Sequence, residues 1–132
     1  MEVTSVDQGN TLLSWCINPN TADMHYMHQV REVATGYELG LTPYNKASMY
    51  VGSCNIDSVL PAWSFSKLFE MLPCLETPCK VDHPMLHKLA HGDYCAYWIS
   101  YKYKRIHTDF CKSPVEAAVS MIKLLLNRGY HV

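Results

Sequence analysis

Five side chains of the kind that bind transition metals recur at nearly regular intervals in mid-sequence: Cys74, Cys79, His83, His87 and His91. Zinc takes thiolate and imidazole ligands. A helix opened by Pro84 would set His87 and His91 one turn apart on one face, with His83 just ahead of it. The cysteine spacing matches no common zinc module, however, and a chain with 48% hydrophobic residues needs no metal staple. The sequence therefore favours solvated or partly buried histidines here, and implies no metal and no cofactor.

A second group is Tyr101, Lys102, Tyr103, Lys104, Arg105 and His107. Aromatic faces stack on bases while Lys and Arg neutralise phosphates, so the run has the make-up of a nucleotide site. Strand alternation divides it: Tyr101 and Tyr103 share one face, Lys102 and Lys104 the other. Bringing both kinds onto one ligand requires the hairpin edge or a second subunit. Nucleophilic catalysis finds no such footing. The sequence has no Gly-x-Ser-x-Gly elbow, no P-loop and no Gly-x-Gly-x-x-Gly, and its twelve acids are scattered. With six cysteines and seven histidines, a Cys–His pair on paper is no signal, and a non-enzymatic protein is expected.

The elements that position these groups are clearest at the C-terminal end. Ser113-Pro114-Val115-Glu116 is a capping box with proline at the first helical position. Glu116, Ser120, Lys123 and Asn127 then form one polar stripe on an otherwise apolar helix that Gly129 closes. A second helix is predicted from an N-cap at Ser64 to just before Pro73, with Phe65, Leu68, Phe69 and Leu72 on one face and Trp63 packed into the core. Between the two helices, Asp93–Tyr103 alternates as a strand, with Tyr94, Ala96 and Trp98 on one face and Cys95, Tyr97 and Ile99 on the other. The turn is expected near Lys102-Tyr103-Lys104, and Arg105–Cys111 returns antiparallel.

The first half is more ambiguous. Met24, Met27, Val30 and Val33 fit a helical face, whereas Ala22–Tyr26 fits a short strand. Pro19–Met24 is echoed by Pro43–Tyr50, which suggests two proline turns each leading into a strand. The absence of a low-complexity linker points to a single compact domain over residues 1–132, with residues 1–40 the less certain part. The predicted class is α+β, a short antiparallel sheet packed with two or three helices.

Charge limits the partners. The net charge is −1, yet the last thirty-two residues carry an excess of basic groups and the first hundred an excess of acidic ones. No global field draws long nucleic acid or an anionic membrane, but an anion site at the C-terminal end is compatible with this polarity. Met1-Glu2-Val3-Thr4 does not open like a secretory signal, and the apolar stretch Met121–Leu126 is broken by Lys123. A cytoplasmic protein with six reduced cysteines follows, its thiols serving mostly as small core hydrophobes.

Three segments resemble a known family: Glu38-Leu39-Gly40-Leu41-Thr42-Pro43, Ala47-Ser48-Met49-Tyr50, and Pro61-Ala62-Trp63-Ser64-Phe65-Ser66-Lys67-Leu68. The ending, Ser113–Ala118 followed by Asn127-Arg128-Gly129-Tyr130, fits as well. The family consists of small uncharacterised proteins encoded by phages and mobile elements of gut anaerobes, similar in outline to the phage ABA-sandwich domain. The likeness covers roughly residue 35 to the C-terminus, with residues 41–132 as its core, and carries over no catalytic residue. It implies an accessory protein of the host cytoplasm. Sequestration of a small anionic ligand, such as a nucleotide immune signal, would then counter host defence, with Tyr101, Lys102, Tyr103, Lys104, Arg105 and His107 as the contact set. A protein–protein module that blocks a host defence protein is the first alternative, and a small metal-dependent hydrolase the second. A chain of 15.1 kDa has little room for a deep site, which favours a homo-oligomer.

Overall fold

Ser5 starts the first helix by a reciprocal cap. Its hydroxyl accepts from the Gln8 backbone N–H, while the Gln8 side chain accepts from the Ser5 N–H, and α1 runs over Val6–Ser14. The computed structural model describes residues 2–29, 36–51, 56–73, 75–77, 80–82, 84–90, 92–99, 105–108, 110–130 and 132; at residues 29, 56–57, 75–77, 80–82, 95–99 and 105–107 it describes the backbone alone. Helices and antiparallel strands make an α+β protein, as expected. The chain clusters into two compact units, residues 3–67 and 68–132.

In the first unit α1 ends in a Schellman motif. Cys16 N–H donates to Leu13 O (3.0 Å) and Ile17 N–H to Leu12 O (3.2 Å), while Cys16 takes a left-handed φ of 63°. Leu12 and Ile17, the two apolar residues the motif brings together, are both buried. A single turn of 3-10 helix at Pro19–Thr21 then feeds strand β1 (Met24–Gln29). Strands β2 (Glu38–Gly40) and β3 (Ile56–Ala62) flank β1 antiparallel, in the order β2-β1-β3. Thus the strand reading of Ala22–Tyr26 holds and the helical face through Met24 and Met27 does not form; Val30 and Val33 lie outside the described residues. Met24 and His25, on opposite faces, are only 7% and 6% exposed, so this end of the sheet is covered on both sides. Pro61 is accommodated because β3 is an edge strand.

Trp63 is the pin of this unit. Its side chain is fully buried, and its indole N–H donates to Thr21 Oγ1 (3.0 Å). Its backbone N–H donates to Thr4 Oγ1 (3.0 Å), and its carbonyl accepts from Thr4 N–H (2.9 Å). The expected core packing of Trp63 is therefore present. Gly9 brings α1 against β3: a Cβ there would meet Pro61 O at 2.9 Å.

The echo of Pro19–Met24 in Pro43–Tyr50 misled. Tyr44–Ala47 is helix α2 and Ser48–Tyr50 a turn of 3-10 helix, not a second strand. Lys46 and Ala47 both donate to Pro43 O (3.1 Å each), and the segment contains good helix formers with no β-branched residue before Val51.

Helix α3 (Phe65–Met71) begins where predicted. The Ser64 hydroxyl accepts from Lys67 N–H (3.2 Å), and Asp23 in turn accepts from the Ser64 N–H (2.9 Å) and its hydroxyl. The second unit continues with the antiparallel pair β4 (Leu75–Thr77) and β5 (Lys80–Asp82). It then forms a three-stranded sheet of β6 (Met85–Lys88), β7 (Tyr94–Ile99) and β8 (Arg105–His107), in that order. The last helix, α4 (Pro114–Asn127), packs on β7. The Ser113 hydroxyl caps Glu116 N–H at 3.1 Å, while the Glu116 carboxylate accepts from Lys112 N–H (3.0 Å), one residue beyond the expected cap. Val115, Ala117, Ala118, Val119, Met121, Ile122 and Leu125 are buried; of the predicted polar stripe Glu116, Lys123 and Asn127 are exposed, while Ser120 is half-buried. A second Schellman motif closes α4: Gly129 has φ 82°, Gly129 N–H donates to Leu126 O (3.1 Å) and Tyr130 N–H to Leu125 O (3.0 Å).

Candidate functional site

The expected β-hairpin forms. Tyr97 is opposite His107, Trp98 opposite Ile106 and Ile99 opposite Arg105, so residues 100–104 join the two strands. Tyr101, Lys102, Tyr103 and Lys104 lie outside the described residues, as does the turn expected there. Arg105 and His107 are in β8, two positions apart and hence on one face. These are the members of the anionic-ligand set that the described backbone brings together.

The sheet ties this hairpin to α4. Tyr94 and Cys111 exchange two backbone hydrogen bonds of 2.8 Å, and the Cys111 thiol lies 3.7 Å from Ser120 Oγ on α4. Lys112, with its side chain 85% exposed, pairs with Asp93 at 3.0 Å; an exposed pair contributes at most about 1 kcal/mol. The backbone pairing, not the ion pair, holds the entry of α4 against β7.

The helix considered after Pro84 does not form; strand β6 stands in its place. Met85–Lys88 pairs with β7 over Met85↔Tyr97, Leu86↔Ala96, His87↔Cys95 and Lys88↔Tyr94. The return is a tight loop in which Leu89 N–H donates to Asp93 O (2.7 Å) and Gly92 takes φ 93°. Cross-strand pairing thus wins over a proline helix start, and the one-turn spacing needed for a His87–His91 chelate is not formed by a helix. His87 is exposed on β6; Cys74, Cys79, His83 and His91 lie outside the described residues. No group of three or more His, Cys, Asp or Glu side chains is placed to hold a metal ion among the described residues. Lys88 Nζ sits 6.0 Å from the centroid of its cross-strand neighbour Tyr94, at the outer limit of a cation–π contact.

Sequence reasoning missed β6, although Gly92-Asp93 before an aromatic strand is a hairpin signal that would have found it. It also missed the surroundings of His25. The His25 ring places Nδ1 2.6 Å from Thr42 O, and its ring occupies the space a Cβ on its cross-strand partner Gly40 would take. Tyr26 donates its hydroxyl to Thr4 O (2.7 Å), and burial raises its phenol pKa above the ordinary value. Ser64 is fully engaged as a helix cap held by Asp23.

Of the thiols described, Cys16 is exposed and Cys111 buried. Among the described residues no helix is long and apolar enough to cross a membrane. Comparison with protein-family models, curated proteins and solved structures finds nothing that matches this chain.

Proposed function

We propose that this chain is a non-catalytic binding protein whose β7–β8 hairpin takes a small anionic ligand of the nucleotide class. The observation that carries the reading is the Ile99↔Arg105 rung, which makes the basic and aromatic run the connection at one end of a sheet. Lys102, Lys104 and Arg105 supply phosphate-neutralising charge there, Tyr101 and Tyr103 supply stacking faces, and His107 follows on the strand. Alternation of the two kinds favours a site at the hairpin edge or one completed by a second copy. In a phage-type accessory protein of the host cytoplasm, the fitting ligand is a nucleotide immune signal held intact so that host defence is blunted.

Thermal melting against linear and cyclic nucleotides tests this. A ligand at 100 times its Kd adds about 2.7 kcal/mol and raises the Tm. The shift should weaken in Lys104→Glu with Arg105→Glu, and the ligand should be recovered unaltered after denaturation. A flat response across the panel refutes the reading.

One set of observations favours a second reading, a module that binds a host protein. In the first unit Met49 is 80% exposed and Leu41 69%, a degree of apolar exposure that suits protein contact. That reading expects no nucleotide effect on melting, and loss of a specific co-purifying partner in Leu41→Ser or Met49→Ser.

A further inference from the structure

One edge of the first unit's sheet is closed and the other is open. His25 stands opposite both Gly40 and Pro61. In a strand the N–H and C=O of one residue face the same neighbour, and successive residues face opposite ways. Pro61 has no N–H, and its carbonyl is turned to α1, where a Cβ on Gly9 would meet it at 2.9 Å. Trp63, two residues on, likewise turns its N–H and C=O outward, to Thr4. His25 therefore directs its backbone groups to Gly40, and Leu39, the adjacent residue of β2, directs its own away from β1. The β3 edge is thus covered by Thr4 and α1, whereas the Leu39 N–H and C=O have no partner among the described residues.

We propose that β2 pairs antiparallel with β2 of a second copy about a two-fold axis at Leu39, joining two three-stranded sheets into one. On that axis Leu39 faces Leu39 of the other copy, and the two residues exchange both backbone hydrogen bonds. The same register sets Tyr37 opposite Leu41 on either side of the axis. Alternation puts Tyr37, Leu39 and Leu41 on one face, and all three are exposed. The segment is therefore complementary to itself, apolar against apolar at each of these rungs, which singles out a second copy as the occupant. Glu38, its only charge, is opposite Gly40 of that copy, so like charges do not oppose each other. From Gly36 to Thr42 there is no lysine or proline to turn another strand away. Three apolar side chains on a three-residue strand bury less than the about 800 Å² per partner of a standard complex, so the pair is weak and forms with rising concentration. The surface lies in the first unit and shares no residue with the anion site.

Sedimentation velocity and light scattering on the full chain, between low-micromolar and near-millimolar protein, test the pairing. The mass should rise from 15.1 kDa toward twice that value. Leu39→Lys, which opposes two ammonium groups on the axis, should weaken association by about tenfold or more, while circular dichroism and the Tm stay those of the parent. Tyr50→Ser removes an exposed apolar group outside β2 and should leave association unchanged. Hydrogen exchange of the unsubstituted protein needs no variant to fold: the Leu39 amide should be protected at high concentration and exchange freely at low. A mass of 15.1 kDa at every concentration overturns the proposal, also where the edge takes up an added strand-forming peptide. So does a dimer that Leu39→Lys leaves intact or that Tyr50→Ser weakens equally, or a Leu39 amide whose exchange ignores concentration.

Discussion

Cys16→Gly should make the protein more stable. Cys16 holds the left-handed position of the Schellman motif that ends α1, at φ 63°, where Gly129 at φ 82° does the same for α4. An L-residue in this conformation costs roughly 1–2 kcal/mol. Glycine removes that cost but gives the unfolded chain more freedom, worth about 0.5–1 kcal/mol. The difference is a net gain of about 0.5–1 kcal/mol. With a urea slope of about 1.5 kcal/mol/M, the unfolding midpoint should rise by about 0.3–0.7 M, read by helical circular dichroism and tryptophan fluorescence. Cys16→Ala is the control, because it removes the exposed thiol and keeps the strain; it should stay within about 0.5 kcal/mol of the parent. The mirror experiment is Gly129→Ala, expected to cost about 1 kcal/mol. If Cys16→Gly is no more stable than Cys16→Ala, the left-handed cap stores no strain and the reasoning fails.

Raising the pH should expose the burial of Tyr26. Its folded pKa lies above the ordinary value of about 10, so the unfolded state ionises first, and stability falls as pH climbs past that value until the folded phenol ionises too. Tyr26→Phe should lose about 1 kcal/mol at neutral pH, with its hydrogen bond to Thr4 O, and flatten the alkaline decline in denaturation midpoints. Gly40→Ala should cost about 1–3 kcal/mol, because the new methyl overlaps the His25 ring; adding His25→Ala should recover part of that loss in a double-mutant cycle. Asp23→Ala, which strips the Ser64 N–H and hydroxyl of their acceptor, should cost about 1.5–3 kcal/mol in urea melts, and Asp23→Asn visibly less because one acceptor remains.

What the sequence disclosed followed the strength of its local signals. α4 announced itself through Ser113, Pro114, the polar stripe and Gly129, each of which reports on its own neighbours and needs no tertiary knowledge. α1 carried an equally good start in Ser5-x-x-Gln8, yet its stop is a cysteine where glycine is the usual sign, and the helix passed unnoticed. The two proline segments look alike over a few residues and end as strand and helix, because a β-strand is decided by its partners: β1 has β2 and β3, while Tyr44–Ala47 has no strand partner among the described residues. The same holds for Met85–Lys88, which pairing with β7 makes a strand. For the candidate site, the hairpin was legible because aromatic alternation persists from Tyr94 to Ile99. That His87 and Cys95 stand opposite each other was not, since register across a turn is a property of two strands at once.

The bonds between Thr4 and Trp63 join residues fifty-nine positions apart, and Thr4 is fully buried once they form. As the chain is synthesised, Thr4 can meet the Tyr26 hydroxyl early, but its bonds with Trp63 cannot form until Trp63 has left the ribosome. Closing so long a loop costs entropy that local contacts do not incur, and contacts at this range slow folding. α1 can cap and coil early on its own side chains, whereas the Thr4 pairing just ahead of it waits for Trp63. A protease present during synthesis, or a bulky insertion placed directly before Thr4, would therefore act on the first unit in the interval when the Thr4–Trp63 pairing is still open.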